Sequence, residues 1–138
     1  MKKEGRIVKA ILPQDQGGVL SYGLDAKQGE LLDLLLEALG LWRREVTREQ
    51  LACKVSDLAS GAAAAAPVPK RVPAQPCLVL CGLQGPVLDR LLTGLRGAGL
   101  AIPLKAVVTE HNRQWSFLEL YEELCREHEA MAQGRRQQ

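Results

Sequence analysis

The stretch LVLCGLQGPVLDRLLTGLRGAGL, residues 78–100, decides the fold. The apolar run Leu78–Cys81 has no polar break and stops at Gly82. A short apolar run closed by glycine reads as a strand followed by a turn. Apolar residues then recur at Leu88, Leu91, Leu92 and Leu95, the spacing of one helix face. Pro86 falls in the first turn of that helix, where its missing N–H costs nothing. Gly99 stands where a helix C-terminus takes a left-handed residue.

The same unit stands 59 positions earlier, where VLSYGLDAKQGELLDLLLEALGL (19–41) lies over 78–100 without a gap. Gly23 meets Gly82, Leu32 meets Leu91, Leu36 meets Leu95 and Gly40 meets Gly99. Leucine-rich helices match easily, but glycines at both ends of both segments do not. A second strand and helix follow in each half. REVT (44–47) runs into TREQLACKVSDLAS (47–60), with Thr47 as N-cap and Gln50 three residues on. PLKAVVT (103–109) runs, after a loop, into SFLELYEELCREHEAM (116–131), with Ser116 as N-cap and Glu119 three residues on. Both are capping boxes, and Val46–Leu51 and Trp115–Leu120 are placed as hydrophobic staples.

The pattern predicts an α/β fold: two β-α-β-α halves forming a four- to five-stranded parallel or mixed sheet with helices packed on it. RIVKAIL (6–12) is expected to add a strand, and PQDQGG the turn after it. Prolines 67, 69, 73 and 76 bar a helix from the segment 60–76 despite its five alanines, so it reads as an exposed, semi-extended linker. The expected organisation is one domain over 1–138: a first half 6–59, the linker 60–76, a second half 77–131 and a frayed tail 132–138.

Composition narrows the function classes. Lys and Arg number 18 against 16 Asp and Glu, a net charge of +2 spread along the chain, too weak a footprint for nucleic acid. No run of about 18 apolar residues spans a membrane, and the start lacks the apolar core of an export signal. A cytoplasmic location is expected, with Cys53, Cys77, Cys81 and Cys125 as free thiols and no metal or cofactor. Cys77 and Cys81 would lie roughly 13 Å apart on a strand and read as core. Cys125 and His128 fall on the stripe Phe117, Leu120, Tyr121, Leu124, Cys125, His128, Met131, which reads as the buried face of the last helix. Glu119, Glu122, Glu123, Glu127 and Glu129 lie off it and read as a solvated face.

The candidate site comes from a difference between the halves. From Thr47 to Ser116 the offset is 69 instead of 59, which reads as ten added residues, about three at AIP (101–103) and most of the rest at TEHNRQ (109–114). That polar loop sits at the carboxyl end of a strand, where open α/β sheets place ligands. Glu110 and His111 are the catalytic candidates, as carboxylate partner and general base. Lys105, Thr109, Asn112 and Trp115 are the ligand-binding candidates. Against this, Thr and Asn also end strands and form turns in inert loops of this length. Lys105 shares a strand face with Val107 and is expected to lay its stem on apolar surface with its amine in water.

At PLKAVVTEHNRQWSFLELYEELCREHEAM (103–131) the sequence resembles a family of small bacterial proteins known only as a domain of unknown function. In that family a VLxxGL strand and a Leu-rich helix precede a PLKAVxT strand, a short polar loop with a Trp, and a Glu-rich helix. The resemblance covers roughly residues 77–131 and, more loosely, the first half from residue 19. It implies that the polar loop belongs to a family pattern, and it carries no activity. The expected function is a non-catalytic binding or self-associating module, with a homo-oligomer or a protein partner. The alternative is a small enzyme or ligand-binding protein with its site in the loop 109–112.

Overall fold

The structure is a computed structural model that describes residues 17–136, apart from the side chains of 134–136. The strand expected at 6–12 lies outside the described residues. The elements are β1 (Gly18–Tyr22), α1 (Ala26–Leu39), β2 (Trp42–Glu45), a 3₁₀ turn (Arg48–Gln50), α2 (Val55–Ser60), β3 (Cys77–Cys81), α3 (Gly85–Gly97), β4 (Leu104–Val107) and α4 (Phe117–Arg136). The strands form one mixed sheet in the order β2-β1-β3-β4. β1 runs parallel to β2 and β3 parallel to β4, while the central pair is antiparallel. The expected α/β class holds.

Every residue of β1 and β3 is buried, which is why these strands read as unbroken apolar runs. One face of the sheet (Val19, Leu78, Leu80) packs on Leu32 and Leu36 of α1 and Leu91 and Leu95 of α3. The other (Leu20, Val79, Leu104) packs on Val55 and Leu58 of α2 and Phe117 and Leu120 of α4. The edge strands are short and only partly buried, and β2 carries Arg43, Arg44 and Glu45. Gly23 and Gly82 turn the central strands into their helices at φ +75° and +68°, values that side chains resist.

The two halves make matching hydrogen bonds. In the central pair Leu20 stands opposite Val79, 59 positions away. Beyond the sheet, Lys54 forms a bridge with Ser116, 62 positions away. Val55 N–H donates to Trp115 O at 2.8 Å and Phe117 N–H to Cys53 O at 2.9 Å. Ser56 N–H donates to Arg113 O and Leu118 N–H to Leu51 O, both at 2.9 Å. The offset of 62 is the 59 of the sequence match plus three. β1 and β2 pair 24 positions apart, as Gly18 with Trp42, and β3 and β4 pair 27 apart, as Cys77 with Leu104.

The β3–β4 register is three positions longer than the β1–β2 register, and TEHNRQ (109–114) stands 62 positions after TREQLA (47–52). Thr47, expected to cap the helix after β2, caps the 3₁₀ turn, and that helix begins only at Val55.

Smaller corrections follow. β2 begins at Trp42, two residues before REVT. The last helix continues through most of the tail expected at 132–138, to Arg136. Its far turns outrun the sheet, so the apolar stripe is buried at Phe117, Leu120 and Tyr121 but exposed at His128 and Met131. The linker has no regular secondary structure between α2 and β3, yet it is tied down. Tyr22 Oη donates to Pro73 O at 2.8 Å, and Gln75 N–H donates to Tyr121 Oη at 3.1 Å.

Candidate functional site

The loop after β4 is built by Thr109 and Asn112. Thr109 N–H donates to Asn112 Oδ1 at 2.8 Å, and Asn112 N–H returns a bond to Thr109 Oγ1 at 3.2 Å. Asn112 Nδ2 also donates to Val107 O at 3.2 Å, so one side chain closes the turn and ties it to the strand end. In the first half Gln50 Oε1 accepts from Thr47 N–H at 3.1 Å in the corresponding place. Folding alone accounts for Thr109 and Asn112.

The catalytic pairing of Glu110 with His111 does not form. Glu110 is 91% exposed and meets Arg113 at 3.4 Å. His111 turns the other way, edge-on to the Trp115 ring with centroids 5.3 Å apart. No ion pair or hydrogen bond joins Glu110 to His111 among the described residues. Lys105 Nζ bonds the carbonyl of Ile102 at 2.5 Å, and its side chain is exposed as expected.

Four of the six candidates nevertheless come together. Lys105, His111, Asn112 and Trp115 line a groove of about 390 Å³ between β4 and α4. The opposite wall is Leu120, Glu123, Leu124 and Glu127. These four stand at positions i, i+3, i+4 and i+7 of α4, one face of the helix. Glu123 and Glu127 had read as solvated surface. The signal that could have placed them is that spacing, which mixes two leucines with two glutamates. Thr109 and Glu110 do not line this groove.

A second cavity, of about 240 Å³, lies at the carboxyl ends of β3 and β4, between Trp42, Ala59, Cys81, Val108 and Arg113. The corresponding space at the opposite end is filled. Tyr22, Phe117 and Tyr121 pack there as an aromatic cluster with centroids 5.9 Å and 6.4 Å apart. Around the cavity the side chains at Ser56, Ala59 and Cys81 are smaller, which leaves the opening. Trp42 Nε1 is buried beside it without a hydrogen-bond partner among the described residues, and Arg44 stacks over the same ring at 4.5 Å. Among the described residues no three His, Cys, Asp or Glu side chains cluster as metal ligands.

No curated protein and no solved structure matches the chain. The family model described as "Domain of unknown function (DUF3783)" matches residues 76–131, which span β3, α3, β4, the loop and most of α4. A DUF3783 domain of unknown function is thus found at residues 76–131 of this chain, the segment that holds the groove.

Proposed function

We propose that this small α/β protein is a binding module whose contact face is the groove between β4 and α4. One observation carries the reading. The loop brings an aromatic ring, an imidazole and an amide, and β4 a lysine, to one groove, while Glu110, the expected partner of the imidazole, meets Arg113 instead. Such a set recognises a surface by packing and hydrogen bonds, and it lacks the nucleophile–base couple a hydrolytic centre needs. β4 adds an edge with no described strand beside it, and Val107 on it is 40% exposed. The expected partner is a protein. The net charge of +2 gives nucleic acid little to bind.

The two halves read as copies of one unit, supported by their matched bonds, and residues 17–136 read as one folding unit. A cytoplasmic location fits four free thiols. Among the described residues no helix is long and apolar enough to cross a membrane.

Selection of peptides from a random library against the full chain tests the proposal. Selected peptides are expected to shift the amide resonances of residues 105–107, 111–115 and 120–127. Peptides that map only to other surfaces overturn it. Self-association is the second reading, favoured by Leu34, 65% exposed on α1. A strict monomer from micromolar to millimolar concentration in light scattering removes it.

A further inference from the structure

We infer that the cavity at the carboxyl ends of β3 and β4 is a binding site for a small carboxylic acid with an apolar body. It is separate from the groove between β4 and α4 and goes beyond the reading of that groove. One row of residues across the sheet builds its floor. Gly18 pairs with Trp42 on one side and with Cys81 on the other. Val108 is next in the row, its N–H donating to Leu80 O at 2.9 Å. Gly18 carries no side chain, and the Trp42 indole takes that place. A Cβ on Gly18 would stand 2.2 Å from Trp42 Cδ2. The ring therefore lies across β1, with Arg44 stacked over it at 4.5 Å.

α2 stands over this floor with Ser56, Ala59 and Ser60. These side chains are small, and about 240 Å³ stays open between them and Trp42, Cys81 and Val108. Pockets for drug-sized ligands run to roughly 300–1,000 Å³, so this occupant is smaller than those. A lining of indole, thiol and aliphatic groups suits an apolar body.

Two polar groups set what the rest of the occupant must offer. Trp42 Nε1 is buried and has no hydrogen-bond partner among the described residues. An indole N–H only donates, so its missing partner is an acceptor. A buried donor left unpaired costs free energy that a bound acceptor recovers. Arg113 is the charged side chain of the lining. Its ion pair with Glu110, at 3.4 Å, joins two exposed groups, and Glu110 does not line the cavity. Surface pairs of this kind hold weakly, so the guanidinium is free to exchange partners. Its fork matches a carboxylate. Arg44 adds a second positive charge beside the ring. An acceptor that is also anionic therefore answers the indole and the guanidinium together. A bare inorganic anion would leave the apolar walls uncovered.

The test is a titration of the isotope-labelled full chain with benzoate and with hexanoate. Expected is a saturable shift of the Trp42 indole N–H, together with the amides of residues 56–60, 81–83 and 113. The chain has two tryptophans, and the Trp115 indole, in the groove, is expected to stay still. Benzamide keeps the ring and the carbonyl but drops the charge, and is expected to bind about tenfold more weakly than benzoate. Arg113→Gln is expected to weaken benzoate about tenfold and leave benzamide unchanged. Ala59→Leu fills the opening and is expected to abolish binding in a chain that still folds. No saturable shift of the Trp42 indole with either acid overturns the inference. Benzamide binding as tightly as benzoate overturns it, because the charge is then not read. Inorganic phosphate binding as tightly overturns it too, because the apolar body is then not read. Nuclear Overhauser contacts from the Trp42 indole N–H to residues 1–16 in the free chain also overturn it, since the chain then fills its own cavity. Each of these failures leaves the groove reading standing, because that reading is tested at other residues.

Discussion

Leu35 of α1 packs on Gly94 of α3, its counterpart 59 positions on. A Cβ placed on Gly94 would stand 2.5 Å from Leu35 Cδ1. The glycine lets the two helices approach where they cross, at a cost of up to about 1 kcal/mol in helix propensity. Gly94→Val is expected to destabilise the protein by about 1–3 kcal/mol, as overpacking does. Leu35→Ala clears the contact. In a double-mutant cycle by urea unfolding, the valine is expected to cost less in the Leu35→Ala background, and an equal cost in both would show that the helices do not touch there.

Arg43 joins an edge strand to a buried hydroxyl. Its Nη1 donates to Ser21 Oγ at 2.8 Å, and Ser21 is fully buried. Its Nε meets Asp33 of α1 at 2.6 Å. Arg43→Met keeps the stem but strands the Ser21 hydroxyl, for an expected loss of about 1–3 kcal/mol. Ser21→Ala in that background should recover part of the loss.

The hydrogen bond from Arg43 also holds the Asp33 carboxyl below its usual range. A depressed folded pKa adds stability above the ordinary value near 3.8, and that stability is lost as pH falls through the folded value. Asp33 is half-exposed, so screening keeps the contribution under about 1 kcal/mol. Asp33→Asn should remove part of the loss of melting temperature between pH 5 and pH 2, a window of about three units set by that ordinary carboxylate range. An unchanged acid limb would count against the pair.

Burial pushes the Cys77 and Cys81 thiols up to about 12. Both sit in the central strand β3 and are at most 6% exposed. A raised folded pKa leaves stability intact below the ordinary thiol value near 9 and erodes it as pH rises from there towards 12. Replacing either with Ala should flatten the alkaline limb of a melting-temperature profile while lowering its plateau. In the folded protein at pH 8, a thiol reagent is expected to modify the half-buried Cys53 and Cys125 first, with Cys77 and Cys81 reacting only as fast as the sheet opens. Equal rates at all four would contradict the burial.

Much of this fold was legible because its signals are local. Glycines at 23, 82, 40 and 99 mark turns and helix ends, and leucines at helical spacing mark the faces of α1 and α3. The unbroken apolar runs of β1 and β3 reflect burial on both faces. What misled was a capping box, T-x-x-Q at 47–50, that closes a 3₁₀ turn instead of opening a helix. The box fixes one turn of backbone and says nothing about the next. The offset of 69 that makes TEHNRQ read as added residues is counted from Thr47, which caps that turn and not the helix at Val55. The groove itself was only half legible. Lys105, His111, Asn112 and Trp115 are close in sequence, but its far wall depends on how α4 lies across β4, which no local pattern encodes.

The loop 109–115 offers the last test, because folding and binding assign its residues differently. Asn112 makes three hydrogen bonds that close the turn and hold the strand end. Asn112→Ala removes the side chain from two of them and orphans the Thr109 N–H. Its expected cost is about 1–2 kcal/mol, the range of a lost cap. His111 is exposed and touches the Trp115 ring from outside, so His111→Ala should change stability by less than about 0.5 kcal/mol, as surface substitutions do. Glu110→Ala breaks only the exposed pair with Arg113 and should be equally mild. Urea unfolding of the three variants separates the roles. A large loss at His111 with none at Asn112 would mean that the imidazole, and not the amide, holds the loop.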